Sequence, residues 1–212
     1  MAQLHYRHAA MNSGKSTMVL QYRHTYASCG RKGLLMTRLD RAGTGIVSSR
    51  IGLTADALEI GAAADLTELV LSQPGSRVDH VIVDEAQFLS PDQVDQLAAL
   101  VDDHDIDVFA FGLLSDFRGL QFPGSARLVV LADIVEALQV YPMCWCGQPA
   151  RMNARVVSGT WSATATPWSS ATPTPTPTSA MWCCAGATTA PAGPTRPSPR
   201  RRGSRARRLC TP

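Results

Sequence analysis

Short apolar runs recur along the first two thirds of this chain, each separated from the next by a stretch of helical texture, and that alternation admits few folds. Runs at 3–8, 33–38, 78–83, 107–112 and 137–141 read as strands. The segments between them suit right-handed crossovers, so the pattern predicts an α/β domain with a parallel sheet and flanking helices over residues 1–141. Ser16–Ser28 reads as a helix that Gly30 ends. Ser90-Pro91-Asp92-Gln93 supplies an N-cap, a proline at the first helical position and a capping-box glutamine, which opens a helix running to about Val101. Ala42–Gly45 and Pro123–Ser125 carry loop signals.

Beyond Ser158 the texture changes. All 17 acidic residues precede Gly159, whereas seven of the 20 basic ones (Arg196, Arg200, Arg201, Arg202, Arg205, Arg207 and Arg208) follow it. Residues 1–158 therefore hold thirteen cations against seventeen anions, a charge of −4 that suits an enzyme of small anionic substrates and gives no sign of nucleic-acid binding. Ser162–Thr178 contains only Ser, Ala, Thr, Pro and one Trp. Such a segment cannot bury enough apolar surface to offset its ordering entropy, so 159–212 is predicted to be a disordered tail. No apolar run reaches the roughly 18 residues of a membrane span, and the polar His5-Tyr6-Arg7-His8 stretch is unlike a signal peptide, so the expected compartment is the cytoplasm. The six cysteines are scattered and read as no disulfide framework.

Four segments carry chemistry. Asn12-Ser13-Gly14-Lys15-Ser16-Thr17 stands where the first strand turns into a helix. In a phosphate-binding loop of this kind backbone N–H groups cradle phosphates, the lysine meets the β and γ oxygens and the following hydroxyl holds Mg²⁺, roles that fall to Lys15 and Ser16. Asp84-Glu85 follows the apolar run Val81-Ile82-Val83. A carboxylate at that strand end suits Mg²⁺, which assigns Asp84, while Glu85 can turn toward an acceptor and serve as base for a hydroxyl nucleophile. Without the lysine loop the pair would read as solvated loop carboxylates. The stretch Gly112 to Gly119, with Phe122-Pro123-Gly124 after it, puts Phe117 and Phe122 on a glycine-punctuated loop, where aromatics either sandwich a planar base or join the core. Cys144-Trp145-Cys146-Gly147 offers two thiolates, half of a structural zinc site.

Taken in order, Ala9 to Thr17, Val47-Ser48-Ser49-Arg50-Ile51-Gly52-Leu53, Asp84-Glu85-Ala86-Gln87-Phe88-Leu89, Gly112 to Gly119 and Cys144 to Gly147 resemble the bacterial branch of the thymidine kinase family, from residue 1 to about 157. The resemblance implies a nucleotide-binding domain and a small zinc-held domain, beginning here at 142–158, whose lasso loop closes over thymidine. It also implies Mg²⁺-dependent transfer of the ATP γ-phosphate to the thymidine 5′-hydroxyl, and a homotetramer. By position, Ala9, Ala10, Met11, Asn12, Ser13, Gly14, Lys15 and Ser16 match the phosphate loop. Asp84, Glu85, Ala86 and Gln87 match a second ATP-contacting segment in which Glu85 is the catalytic base. Met11, Phe117 and Phe122 fall at the thymine pocket, Asp40 and Arg41 near a metal and phosphate loop, and Cys144 and Cys146 at the first two zinc ligands.

This chain departs from that pattern in three places. Ala9 stands where glycine or serine is usual. His5 and Arg7 would place polar groups in a central strand unless they find partners. The family's valine-rich hairpin, tyrosine and Cys-x-x-His after the first cysteine pair are absent as written, which leaves zinc two ligands short and the pocket without a lid. The same tail lacks every Asp, Glu and Lys and is rich in Pro, Thr, Ala, Ser and Arg, as GC-rich DNA reads out of frame. A shifted frame over 167–189 can spell the missing tyrosine and Cys-x-x-His, so a one-frame shift near Val157–Gly159 is expected. The alternative reading of the chain is a catalytically inactive remnant that binds nucleotide without closing over thymidine.

Overall fold

A computed structural model describes residues 1–38, 45–75, 77–143, 149–157, 160–161 and 180–183. The strands β1 (Leu4–His8), β2 (Gly33–Thr37), β5 (Leu58–Glu59), β6 (His80–Asp84), β7 (Asp107–Gly112) and β8 (Ile134–Ala137) form one sheet in the order β5-β2-β6-β7-β1-β8. Every pairing in it is parallel. The helices α1 (Lys15–Ser28), α2 (Leu66–Leu71), α3 (Pro91–Asp102) and α4 (Pro123–Leu131) belong to its crossovers. The register sets His8 beside Gly112 and Thr37 beside Asp84, so the C-terminal ends of β6, β7 and β1 lie side by side. A separate hairpin, β3 (Ile46–Ser48) with β4 (Thr54–Asp56), interrupts the way from β2 to β5.

Alternation along the strands assigns each residue to a face. Leu4, Tyr6, Val81, Val83, Val108 and Ala110 join Leu66, Val94, Leu97, Leu100 and Leu128 in the larger core under α2, α3 and α4. Leu35, Ile82, Phe109 and Phe111 face α1, where Val19, Leu20 and the hairpin's Val47 cover them. Burial on both faces is what a parallel sheet with helices on either side demands. His5 and Arg7 of β1 fall on the α1 face. Arg7 hydrogen-bonds the Tyr22 hydroxyl, lies 4.7 Å from that ring's centre and pairs with Glu136 at 3.0 Å. His5 lies against Phe109, its ring centre 4.9 Å away. Arg7 thus finds the partners a charge in a central strand needs, while its Nε and His5 Nδ1 remain without a hydrogen bond.

The capping box of α3 forms as its sequence predicts: the Ser90 hydroxyl accepts from the Gln93 amide, and the Gln93 side chain accepts from the Ser90 amide, both at 3.2 Å. Two expectations need correction. Pro123–Ser125 is the first turn of α4, not a loop, because proline needs no N–H at that position. The last strand of the sheet is Ile134–Ala137, four residues earlier at its end than the apolar run to Tyr141 suggests; Val140 and Tyr141 are exposed, and β8 is fixed at its start by Asp133, which accepts from the Leu4 amide at 2.7 Å.

Past β8 a small antiparallel sheet pairs β9 (Met152–Val157) with β10 (Thr160–Trp161) on one side and β11 (Ala180–Cys183) on the other. Six residues of the stretch expected to be a disordered tail are therefore strand; ladder bonds need only backbone groups, which composition does not reveal. The rest of 159–212 lies outside the described residues, as do Asp40, Arg41, Cys144 and Cys146. Among the described residues, no helix is long and apolar enough to cross a membrane, and no group of three or more His, Cys, Asp or Glu side chains is placed to hold a metal ion.

Candidate active site

The loop between β1 and α1 is held by backbone geometry. The Ala9 amide donates to Gly112 at 3.2 Å, Asn12 turns with φ 63°, and Gly14 caps α1 with φ 80°. That left-handed cap explains the glycine, since a side chain there would be strained. No side chain caps α1, so its first amides remain available to an anion, which the helix dipole also favours. Lys15 is buried and its ammonium donates to the Ala10 carbonyl at 3.0 Å, folded back over the loop it follows. The buried Ser13 hydroxyl has no hydrogen-bond partner.

Across from the lysine, Asp84 ends β6 and is buried. Desolvation, together with the charge of Glu85, pushes its carboxyl up to about 7, although the Ser16 hydroxyl, the Glu85 amide and Lys15 favour the ionised form. A buried carboxylate hydrogen-bonded to a hydroxyl is an oxygen donor set suited to a hard cation such as Mg²⁺. Glu85 follows in the left-handed region, φ 53° and ψ 36°, and opens the short 3-10 turn Ala86–Phe88. Its carboxylate accepts from Gln87 Nε2 at 2.5 Å, and Gln87 Oε1 accepts from the Leu113 amide at 3.0 Å.

The loop after β7 is closed by Asp116, whose Oδ1 accepts from the amides of Arg118 (2.8 Å) and Leu120 (3.0 Å). Phe117 and Phe122 are both half-buried but differently engaged. The Arg118 guanidinium lies 5.8 Å from the centre of the Phe117 ring, while Phe122 meets Phe88 edge-on at 5.7 Å. Gly124 is required by α4: a Cβ there would lie 2.5 Å from the Leu89 carbonyl and 3.0 Å from that of Ala86.

Parts of these segments line one open cleft of about 310 Å³, whose lining includes neither Asp84 nor Phe117 nor Phe122. Met11, Asn12 and Gly14 to Thr17 form one wall, with Glu85 and Leu113 beside them, so the lysine, the hydroxyl and the base candidate meet in one place. Ser48, Ser49, Arg50 and Ile51 form another wall. This hairpin tip is held by Ser49 donating to Leu53 at 2.8 Å and Gly52 donating to Ser49 at 3.0 Å, with Gly52 at φ 87°. Sequence reasoning assigned these residues no role; the signal was Arg50 in a Gly-terminated turn between two short β-prone runs. Asn153 of β9 was also missed. Its Oδ1 accepts from the Met11 amide at 2.9 Å and its Nδ2 donates to the Ser115 carbonyl at 3.3 Å, tying the small sheet to two of the loops.

A parallel α/β sheet whose central strands end at an uncapped helix, a folded-back lysine and paired carboxylates has the parts of a kinase. The model of the family described as thymidine kinase matches residues 2–165. The thymidine kinase of Streptomyces coelicolor is 56% identical over 162 residues, covering 75% of this chain and 74% of that protein. That of Streptomyces avermitilis is 52% identical over 161 residues, again 75% and 74%, and that of Cutibacterium acnes is 48% identical over 161 residues with the same coverage. The chain belongs to the thymidine kinase family.

Proposed function

We propose that this chain is an ATP-dependent thymidine kinase that moves the γ-phosphoryl group of ATP to the 5′-hydroxyl of thymidine. The observation that carries the reading is the convergence of Lys15, Ser16 and Glu85 on one cleft, with the Asp84 carboxyl hydrogen-bonded to Ser16 beside it. Residues 9–16 cradle the ATP phosphates with backbone amides, and Lys15 neutralises charge as the phosphoryl group leaves. Glu85 accepts the proton of the 5′-hydroxyl as that oxygen attacks. Met11, Phe117 and Phe122 bound the thymine side, and Asp84 to Gln87 form the second ATP-contacting segment. Ser16 and Asp84 would hold Mg²⁺, which when bound supplies charge neutralisation between the phosphates. Zinc takes no part in these steps, and Cys144 and Cys146 offer only two of the four ligands it takes. The proposed working form is a cytoplasmic homotetramer.

A second reading has its own observation: the family match ends at residue 165, and the relatives above are aligned over about three quarters of their length. If the one-frame shift near Val157–Gly159 has replaced the closing segment, the chain binds ATP without turning over thymidine. A thymidine phosphorylation assay run beside ATP-binding calorimetry separates the two. Thymidine-dependent product supports the kinase; ATP binding without product supports the remnant.

A further inference from the structure

We infer that Gln87 is a positioning residue for Glu85, its amide engaged by the protein at both ends and not by nucleotide. The inference rests on the proposed role of Glu85. Gln87 is 1% exposed, and a primary amide so buried must satisfy both its oxygen and its NH₂ within the protein. The orientation of that amide follows from chemistry. The group 3.0 Å from one end is the Leu113 N–H, which can only donate, so the glutamine oxygen faces it. The NH₂ therefore faces Glu85, donating to Oε2. One carboxylate oxygen of Glu85 is thereby fixed and the other is left for substrate.

The anchor behind this contact is itself immobilised. The carbonyl of the same residue accepts from the Tyr6 hydroxyl of β1 at 2.9 Å and from the Ser125 hydroxyl of α4 at 2.5 Å, so the residue whose amide holds Gln87 is bound to two further elements. Space for the amide comes from Gly112, where a Cβ would lie 2.8 Å from Gln87 Oε1. Gly124 of α4 presses on the other side, against the carbonyls of Ala86, Gln87 and Leu89. Glu85 sits in a backbone conformation that non-glycine residues seldom adopt, and a short turn alone would leave its side chain free to rotate. The path Tyr6 and Ser125 to Leu113, Gln87 and Glu85 gives that carboxylate one orientation.

The test is a double-mutant cycle of Gln87→Met and Glu85→Gln in the full chain, read as kcat for thymidine and Kd for ATP. Methionine keeps the length and removes the donor. The expected result is a loss of kcat of roughly 10- to 100-fold for Gln87→Met, the scale on which misplacing a catalytic group acts, with ATP affinity within about twofold of the parent. In the Glu85→Gln background the same change costs little, because it acts through Glu85. Equal losses in both backgrounds, or a Kd for ATP that rises in step with the loss of kcat, overturns the inference. If the parent chain has no turnover, the proposed function fails on its own, and the contact is read by NMR instead: Glu85→Ala should shift the Gln87 side-chain NH₂ resonances and speed their exchange with water. Unchanged resonances would remove the contact and the inference with it.

Discussion

The two ends of the six-stranded sheet carry similar carboxylates and use them in opposite ways. At the N-terminal ends of the strands, Asp79 accepts from the Lys32 amide at 2.7 Å, Asp105 from the Ala2 amide at 3.0 Å, Asp107 from the Gln3 amide at 3.2 Å and Asp133 from the Leu4 amide at 2.7 Å. Asp107 also pairs with Arg31 at 3.1 Å. These aspartates are tied to the backbone groups they terminate. At the C-terminal ends, Glu85 lines a cleft with Lys15 and Ser16, and Asp84 is buried behind it, where desolvation holds its carboxyl well above the usual carboxylate range. The difference is one of surroundings: the carboxylates at one end satisfy the chain's own amides, and those at the other stand beside a lysine and a hydroxyl at an open cleft, where the proposed function gives them work.

Substitutions at the two ends should separate along that line. The largest effect belongs to Lys15→Ala, which removes the loop's cation: ATP binding and turnover should both fall, turnover by roughly 10³-fold. An unchanged ATP dissociation constant would mean the loop does not hold phosphates. Next comes Glu85→Gln, which keeps shape and loses proton affinity; kcat should drop by about 10² or more with ATP affinity near that of the parent. Near-normal turnover in this variant would remove Glu85 as the base. At the opposite end, Asp107→Ala should lower the unfolding free energy by about 1–2 kcal/mol through loss of its amide and arginine contacts, with kcat unchanged. A denaturation curve beside a rate measurement checks this, and a loss of kcat without a loss of stability would break the contrast.

The smallest effect is one of pH. His5, His8 and His80 are held below the usual imidazole range, chiefly by burial, with Arg7 adding to it at His5 and Arg31 at His80. Both ring nitrogens of His80 lack a hydrogen bond, and the ring occupies the space beside Gly33, where a Cβ would lie 2.1 Å from it. Because the folded values are depressed, the unfolded chain binds more protons just below pH 6.5, so this stability is complete above that pH and declines as pH falls. Asp84, raised to about 7, has the opposite slope in the metal-free protein. Comparison with His80→Leu cancels that term: the fall in urea midpoint from pH 7.5 to 5.5 should be smaller in the variant than in the parent, and an equal fall would clear His80 of any part in it.

Much of this was legible in the sequence because it rests on local rules. The glycine before Lys15, the capping box at Ser90 and the apolar runs of β2, β6 and β7 each announce a backbone state without reference to the rest of the chain. What stayed hidden depends on distant partners. Phe122-Pro123-Gly124 looks like a turn until α4 is seen pressing Gly124 onto carbonyls more than thirty residues earlier. Asn153 and Gln87 are ordinary polar residues in one dimension, and only the fold brings them to Met11 and Glu85. The hairpin tip was quoted as a motif but given no role, because its place across the cleft from Lys15 follows from tertiary packing of Val47 under α1.

The central claim is that the cleft at the C-terminal ends of β1, β6 and β7 transfers phosphate to thymidine. It is tested most directly by incubating the full chain with γ-labelled ATP, Mg²⁺ and thymidine, beside the Glu85→Gln variant, and following label into thymidine 5′-monophosphate. The account predicts labelled product from the parent and about a hundredth of that rate or less from the variant. A parent chain that binds ATP and forms no labelled nucleotide, or a variant that forms it as fast, would contradict the account.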